Sequence, residues 1–420
     1  MIACTAPFVQ PDHRTYAHAA ATDGAIRTAT GAAMNDHTAS SAATGLAGER
    51  APTAAVATAA RTFEGVQILR GVAAALVVFH HMCWVITSYH PGHSAVATWH
   101  RLAEVGAGGV DIFFCISGLV IAHAARALPA GAARARTFAW RRLLRVLPPY
   151  WVFTALLLLL WVAGIGLRGL NVTPGLVIAS LLLVPWPKTT DTGALSYHPI
   201  LDVGWTLTFE MYFYAVCTLV IALAGGRRIW PAALAVLAMV AVGCVAAGGT
   251  QSVAASVLAS PLLLEFMVGV AIARFVAGRV SRPLGAALIA LGAAGFAASV
   301  LLPDPMTWRV LCWGVPGALL VTGAVLLPVE LNTPRLRFLG FLGTASYTIY
   351  LVHPFFTLVS GTLLKRGIMA QVPPDLLLAV LTAAAIMGSA ATYFVVEGPL
   401  VQLLKPRSRT AALARETGAA

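Results

Sequence analysis

The apolar positions of this chain gather into long, nearly unbroken runs, and the short segments between the runs hold most of the cations. A helix needs about 20 mostly apolar residues to cross the hydrocarbon core of a bilayer. Runs of that kind lie near 66–88, 104–125, 147–164, 203–224, 231–248, 253–276, 284–302, 308–328, 338–362 and 375–396. A further run, 174–186, is short and ends in Pro185-Trp186-Pro187. Residues 1–61 differ from all that follows: they are polar and rich in Ala, Thr and Gly, with no run long enough to span. They also lack the charged-then-apolar pattern of a signal peptide. They read as a disordered low-complexity extension, followed by a membrane domain over 62–400 and a cytoplasmic tail over 401–420.

The cations set the topology, because Lys and Arg are retained on the cytoplasmic side. Arg61 and Arg70 flank the start of the first run, which places the N-terminus inside. The 126–145 loop then falls inside as well, with Arg126, Arg134, Arg136, Arg141, Arg142 and Arg145. If 174–186 stops short of crossing, the later clusters Arg227-Arg228, Arg274/Arg279/Arg282, Arg335/Arg337 and Lys405/Arg407/Arg409 are also inside. If it crosses, all four move out. The pattern therefore predicts an all-α, polytopic membrane helical bundle of about ten transmembrane helices, with both termini cytoplasmic. In that arrangement 174–186 is re-entrant or interfacial, and Lys365-Arg366 is left outside.

Composition excludes the soluble alternatives. Of 420 residues, 59% are hydrophobic and 10% charged, against roughly 45–50% and about 25% in soluble domains. The net charge of +12 would suggest nucleic acid in a soluble protein, but here the cations mark topology. The six cysteines are scattered, five of them inside apolar runs, and show no paired spacing. Neither a disulfide framework nor a metal site is expected.

Ionisable side chains within a span each cost at least about 2.5–3.5 kcal/mol on insertion, so they are candidates for function. Here they are His80, His81, Asp111, Glu210, Glu265 and His353, with Arg70 and Glu397 near cytoplasmic ends. Arg70 and His81 are eleven positions apart. At about 100° per residue this is three turns plus roughly 20°, so both project from one helix face, about 16 Å apart along the axis. His80 is rotated by roughly 80° from Arg70 and is the weaker candidate. His81, Asp111 and Glu210 each stand seven residues from the outer end of their runs, about 10 Å below the boundary. His353 reaches a similar level. Two carboxylates and two imidazoles at one depth suit proton transfer, since a carboxylate orients His and stabilises its charged form. A lone His or Glu also serves as a simple interhelical hydrogen-bonding group, and Glu265 reads that way.

A second constellation is Arg141-Arg142-Leu-Leu-Arg145-Val-Leu-Pro148-Pro149-Tyr150-Trp151. Arg142 and Arg145 are three apart and share a helix face. The segment reads either as a cationic anchor with an aromatic belt, or as a site for a phosphorylated donor, because Arg pairs with phosphate bidentately.

Five stretches together resemble the acyltransferase-3 family of integral membrane acyltransferases. They are Leu69-Arg70 through His80-His81; Gly109-Val-Asp111-Ile-Phe-Phe-Cys-Ile-Ser117-Gly118; Arg141 through Pro148; Val203-Gly-Trp205-Thr-Leu-Thr-Phe-Glu210-Met-Tyr-Phe-Tyr214; and Ser346-Tyr347-Thr-Ile-Tyr350-Leu-Val-His353-Pro354. They occur in the family's order over roughly 62–400. The Val-Gly-Trp-Thr-Leu form before Glu210 is most similar to the branch that acetylates exopolysaccharides such as succinoglycan. Tyr393-Phe-Val-Val-Glu397-Gly-Pro399 matches the family's final-helix ending.

The resemblance implies ten helices in a bacterial inner membrane and an acyl-CoA donor, such as acetyl-CoA, bound from the cytoplasm. It further implies acyl transfer to a hydroxyl of a surface or lipid-linked glycan. Its Arg and His fall on Arg70 and His81, its Arg-x-x-Arg on Arg142 and Arg145, and its Trp-x-x-x-x-Glu on Trp205 and Glu210. Trp205, His353 and Tyr347 are the expected substrate-binding residues. The long N-terminal extension departs from the family pattern. No esterase-like domain follows the last helix in this sequence, which implies a membrane domain working alone or with other polysaccharide-assembly proteins.

The mechanism expected from this reading has Arg142 and Arg145, with Arg141, holding the CoA phosphates. His81, assisted by Asp111 or Glu210, is general base on the sugar hydroxyl, or carries the acyl group transiently. Gly106, Gly108 and Gly109 permit close helix approach. A rival is a secondary transporter or glycan flippase that uses the same carboxylates for proton coupling, although the chain shows no internal repeat.

Overall fold

The computed structural model describes residues 50–90, 94–165, 170–189, 195–246, 260–302 and 305–404. The expected N-terminal extension thus lies outside the described residues as far as 49, and the expected tail from 405 onward. The helices are α1 (Arg50–Tyr89), α2 (Ser94–Ala107), α3 (Gly109–Ala125), α4 (Ala132–Val162), α5 (Pro174–Leu182), α6 (Trp205–Ala224) and α7 (Ile229–Ala246). They continue with α8 (Leu263–Phe275), α9 (Arg282–Ser299), α10 (Val315–Leu326), α11 (Pro334–Thr344), α12 (Ser346–Lys365), α13 (Pro374–Val395) and α14 (Glu397–Leu404). A π-helical turn, Val310–Gly314, leads into α10. The chain is a multi-pass membrane protein, and its helical backbone reaches back to Arg50, ahead of the boundary expected at 62.

Among the described residues, seven segments are long and apolar enough to cross a membrane. They are Phe63–Tyr89, Arg101–Ala125, Ala132–Val162, Asp202–Ala224, Arg282–Ser299, Ser346–Lys365 and Pro374–Leu404. The sequence pattern points to about ten. The difference falls on α7, on α8 with 13 residues, and on Val310–Leu326, while the expected span 253–276 is described only from 260.

The short run at 174–186 becomes α5, which Thr173 caps by accepting from the Leu176 amide at 3.2 Å. Pro174 fits the first helical position, where no amide donor is needed. Leu183 ends the helix in the left-handed conformation, at φ 54°. Its nine residues extend about 13 Å at about 1.5 Å each, well short of the roughly 30 Å core. A two-residue antiparallel pair follows, with Lys188 opposite Ser196 and Thr189 opposite Leu195. A 3-10 turn, Asp202–Gly204, then feeds α6.

α1 lies at the centre and packs against α2, α3, α10, α11, α12 and α13. Every residue of α3 from Gly109 to Ala122 is buried, which leaves that stretch no face for lipid. Its contact with α8 depends on glycine. A Cβ on Gly118 would stand 1.8 Å from the Phe266 carbonyl oxygen, and one on Gly269 2.0 Å from that of Cys115. The expected close approach at Gly106 and Gly109 is present as well, with added Cβ atoms 2.6 Å and 2.4 Å from the Leu76 and Ala73 carbonyl oxygens of α1.

Candidate active site

On α1, the helical period turns Arg70 and His81 the same way, and α12 meets both. Arg70 is 2% exposed. Its Nη1 donates to Gln67 Oε1 and its Nη2 to Ser346 Oγ, each at 3.0 Å. Gln67 in turn donates to Thr344 Oγ1 at 3.0 Å, so the base of α1 is tied to the junction of α11 and α12.

Farther along both helices, the rings of His81 and His353 pack with centroids 4.9 Å apart. His81 Nδ1 lies 2.8 Å from the Val77 carbonyl oxygen, and His353 Nδ1 3.1 Å from that of Ile349. A carbonyl can only accept, so each Nδ1 carries the proton in the neutral ring and each Nε2 keeps a lone pair. His353 is fully buried, and its Nε2 has no hydrogen-bond partner among the described residues. His81 is half-buried, as a group that must meet a substrate has to be. His80 turns aside, with its Nδ1 2.7 Å from the Ala103 carbonyl, and its ring sits edge-on to His81 at 4.9 Å.

The two expected carboxylate partners go elsewhere. Asp111 takes a bidentate pair from Arg309, Nε to Oδ1 at 3.1 Å and Nη2 to Oδ2 at 2.8 Å. Glu210 accepts the Tyr214 hydroxyl one turn along α6. Among the described residues no carboxylate hydrogen-bonds His81. Asp202, in the turn before α6, lies within electrostatic range of the His81 ring. Equal depth does not fix azimuth, and α3 turns Asp111 toward Arg309. Glu265, expected to be an interhelical hydrogen-bonding group, is buried beside Asp111.

Trp205 lies under the same Arg309, whose guanidinium carbon is 6.0 Å from its ring and 5.4 Å from that of Trp313. His198 stacks on the Trp205 indole with centroids 5.6 Å apart. The His198 Nδ1 is 3.1 Å from Asp202, which Lys188 also approaches at 3.3 Å. The Tyr350 hydroxyl donates to the Val203 carbonyl at 2.9 Å and fixes this turn against α12. An aromatic and polar rim therefore stands near the imidazole pair.

Two arginines of α4, Arg142 and Arg145, turn inward, while Arg134 and Arg136 are exposed. Arg142 is 5% exposed, with its guanidinium 5.4 Å from the Phe138 ring, whereas Arg141 is exposed. Arg145 pairs with Glu397 of α14 at 2.7 Å, and Glu397 also accepts from Thr348 at 2.5 Å. Tyr347 is 1% exposed and donates to the Val146 carbonyl at 2.6 Å, so its hydroxyl is committed to packing α12 on α4.

Arg309 is absent from the candidates drawn from sequence. The signal that could have found it is a lone arginine at the start of the run 308–328, which the expected topology puts outside, against the general bias of cations toward the cytoplasm. Asp202 lies in a polar connection with no periodicity and gives no such signal.

The family model described as an acyltransferase domain, that of the acyltransferase-3 family, matches residues 63–394. The exopolysaccharide production protein ExoZ of Rhizobium meliloti (strain 1021) is 34% identical over 329 residues, which cover 77% of this chain and 98% of the relative. The acyltransferase MdmB of Streptomyces mycarofaciens is 29% identical over 338 residues, covering 73% and 84% respectively. No solved structure matches. The family match over residues 63–394, with relatives that are acyltransferase and exopolysaccharide production proteins, decides between enzyme and transporter: the chain belongs to the acyltransferase-3 family and is a membrane acyltransferase related to the exopolysaccharide branch.

Proposed function

We propose that the protein is an O-acetyltransferase of the bacterial inner membrane. It moves the acetyl group of cytoplasmic acetyl-CoA to a hydroxyl of an exopolysaccharide or other surface glycan. The observation that carries this reading is the His81–His353 pair, whose Nδ1 atoms are held on carbonyls and whose Nε2 atoms are left to accept protons. Ten crossings with both termini in the cytoplasm place the basic 126–145 loop on the side where CoA is available.

His81 Nε2 takes the proton of the acceptor hydroxyl as its oxygen attacks the thioester carbonyl. The C–S bond then breaks, and the leaving thiolate recovers the proton from the imidazolium. His353 Nε2, buried and open for a donor, holds the acceptor hydroxyl or a water beside it. Arg70 acts as a positioning residue, because its bond to Ser346 sets α1 against α12 and so brings the two imidazoles together. Trp205 and His198 form the glycan-facing rim, with Asp202 as a carboxylate within electrostatic range of His81. Asp111 and Glu210 act at one remove, through Arg309 and Tyr214. Arg141, Arg142 and Arg145 supply positive charge for the CoA phosphates, Arg145 from within its ion pair with Glu397.

The test is incubation of membranes containing the protein with radiolabelled acetyl-CoA. Ester-linked label in polysaccharide, removable by mild base, supports the reading. Label that stays in CoA, in membranes that hold the folded protein and its glycan, refutes it.

A further inference from the structure

The end of the bundle that carries Arg126, Arg227 and Arg274 contains a cavity of about 510 Å³, away from the imidazole pair. It opens where α3 ends, where the 3-10 turn Gly226–Arg228 leads into α7, and where α8 finishes. Small residues build it. Gly226 passes so close to α3 that a Cβ there would stand 1.7 Å from the Ala125 carbonyl oxygen, and Gly118 and Gly269 bring α3 and α8 into backbone contact below. Trp230 lines the same cavity as the three arginines.

Retention of cations on the cytoplasmic side explains why arginines occur at this level. It does not explain why three of them, from three separate elements, line one cavity. Like charges gathered in this way repel one another. Among the described residues no carboxylate pairs with Arg126, Arg227 or Arg274. A phosphate oxyanion would offset that repulsion, and the guanidinium fork matches phosphate oxygens bidentately. The indole supplies an apolar wall and an N–H donor for whatever the phosphate is attached to. Basic pockets between membrane helices on the cytoplasmic side suit phosphorylated head groups.

We propose that this cavity is a binding site for a phosphate-bearing anion, with Arg126, Arg227 and Arg274 on the phosphate oxygens and Trp230 against the attached group. That chemistry has two sources at a cytoplasmic membrane surface, an anionic phospholipid head group and the nucleotide end of CoA. The second rests on the donor proposed above, whereas the first stands without it.

The experiment uses the full chain in phosphatidylcholine nanodiscs with two probes, 3′,5′-adenosine diphosphate in solution and phosphatidylglycerol blended into the disc. Binding of the first is read by calorimetry, and retention of the second by native mass spectrometry. The triple variant Arg126→Gln, Arg227→Gln, Arg274→Gln is compared with Arg228→Gln, which alters an exposed neighbour that does not line the cavity. The triple variant should lose at least about tenfold in affinity for one probe or both, while Arg228→Gln binds like the parent, and the binding should weaken with salt. Loss confined to phosphatidylglycerol assigns the site to lipid, and loss confined to the nucleotide assigns it to the donor. If the triple variant does not fold, the single variants Arg126→Gln and Arg227→Gln decide the matter, each expected to bind more weakly than the parent. Neither probe binding the parent, or both binding the variants undiminished, overturns the proposal.

Discussion

His81 and His353 face one another with ring centroids 4.9 Å apart, each with Nδ1 turned to a carbonyl four residues back on its own helix. Two helices thus leave Nε2 as the unprotonated nitrogen of each neutral ring. If His353 acts through its Nε2, a ring of similar size without nitrogen should fill its place and still fail. His353→Phe is expected to retain parental yield in the membrane and to lose acetyl transfer by about 10²-fold or more. Parental turnover in that variant would leave His353 as packing.

Glu397 is fully buried against Arg145, whose side chain is 12% exposed. Removing one partner of such a pair leaves an uncompensated charge and costs about 3–5 kcal/mol. Glu397→Gln should therefore lower the melting temperature of the purified protein markedly. An unchanged melting curve would show that Arg145 is held by something other than this pair.

Asp111 and Arg309 form another buried ion pair, with side chains 0% and 16% exposed. Asp111→Asn and Arg309→Met should each destabilise the protein, and the double variant should be less destabilised than the sum of the two. Additive losses would mean that the two side chains act independently.

Gly118 admits no side chain, since a Cβ there would meet the Phe266 carbonyl oxygen at 1.8 Å. Backbone cannot swing aside as a flexible side chain can. Gly118→Ala should separate α3 from α8 at a cost of at least about 1–3 kcal/mol, visible as reduced yield and earlier melting. A fully stable Ala variant would contradict this contact.

Helical periodicity made the shared face of Arg70 and His81 legible from eleven positions of spacing, and apolar run length located the seven segments that are long and apolar enough to cross among the described residues. The short run at 174–186 was open to both readings by length, and the cation pattern favoured the re-entrant or interfacial one; in the fold it forms a helix of nine residues. Which carboxylate serves which base was not legible. Counting residues from a span boundary gives depth, whereas partner choice depends on helix rotation, which sequence does not record. Asp111 therefore turns to Arg309 and Glu210 to Tyr214, while Asp202, in an aperiodic turn, is a carboxylate within electrostatic range of His81. The inward set of Arg142 and Arg145 was half visible: their spacing gave a common face, but only the fold shows Glu397 waiting on the other side.

The central claim is that His81 Nε2 accepts the proton of the acceptor hydroxyl. The most direct measurement is the initial rate at which membranes bearing His81→Ala transfer label from acetyl-CoA to glycan, normalised to protein that remains folded in the membrane. A rate at background, with melting and yield like the parent, is the expected result. Transfer at the parental rate would contradict the mechanism.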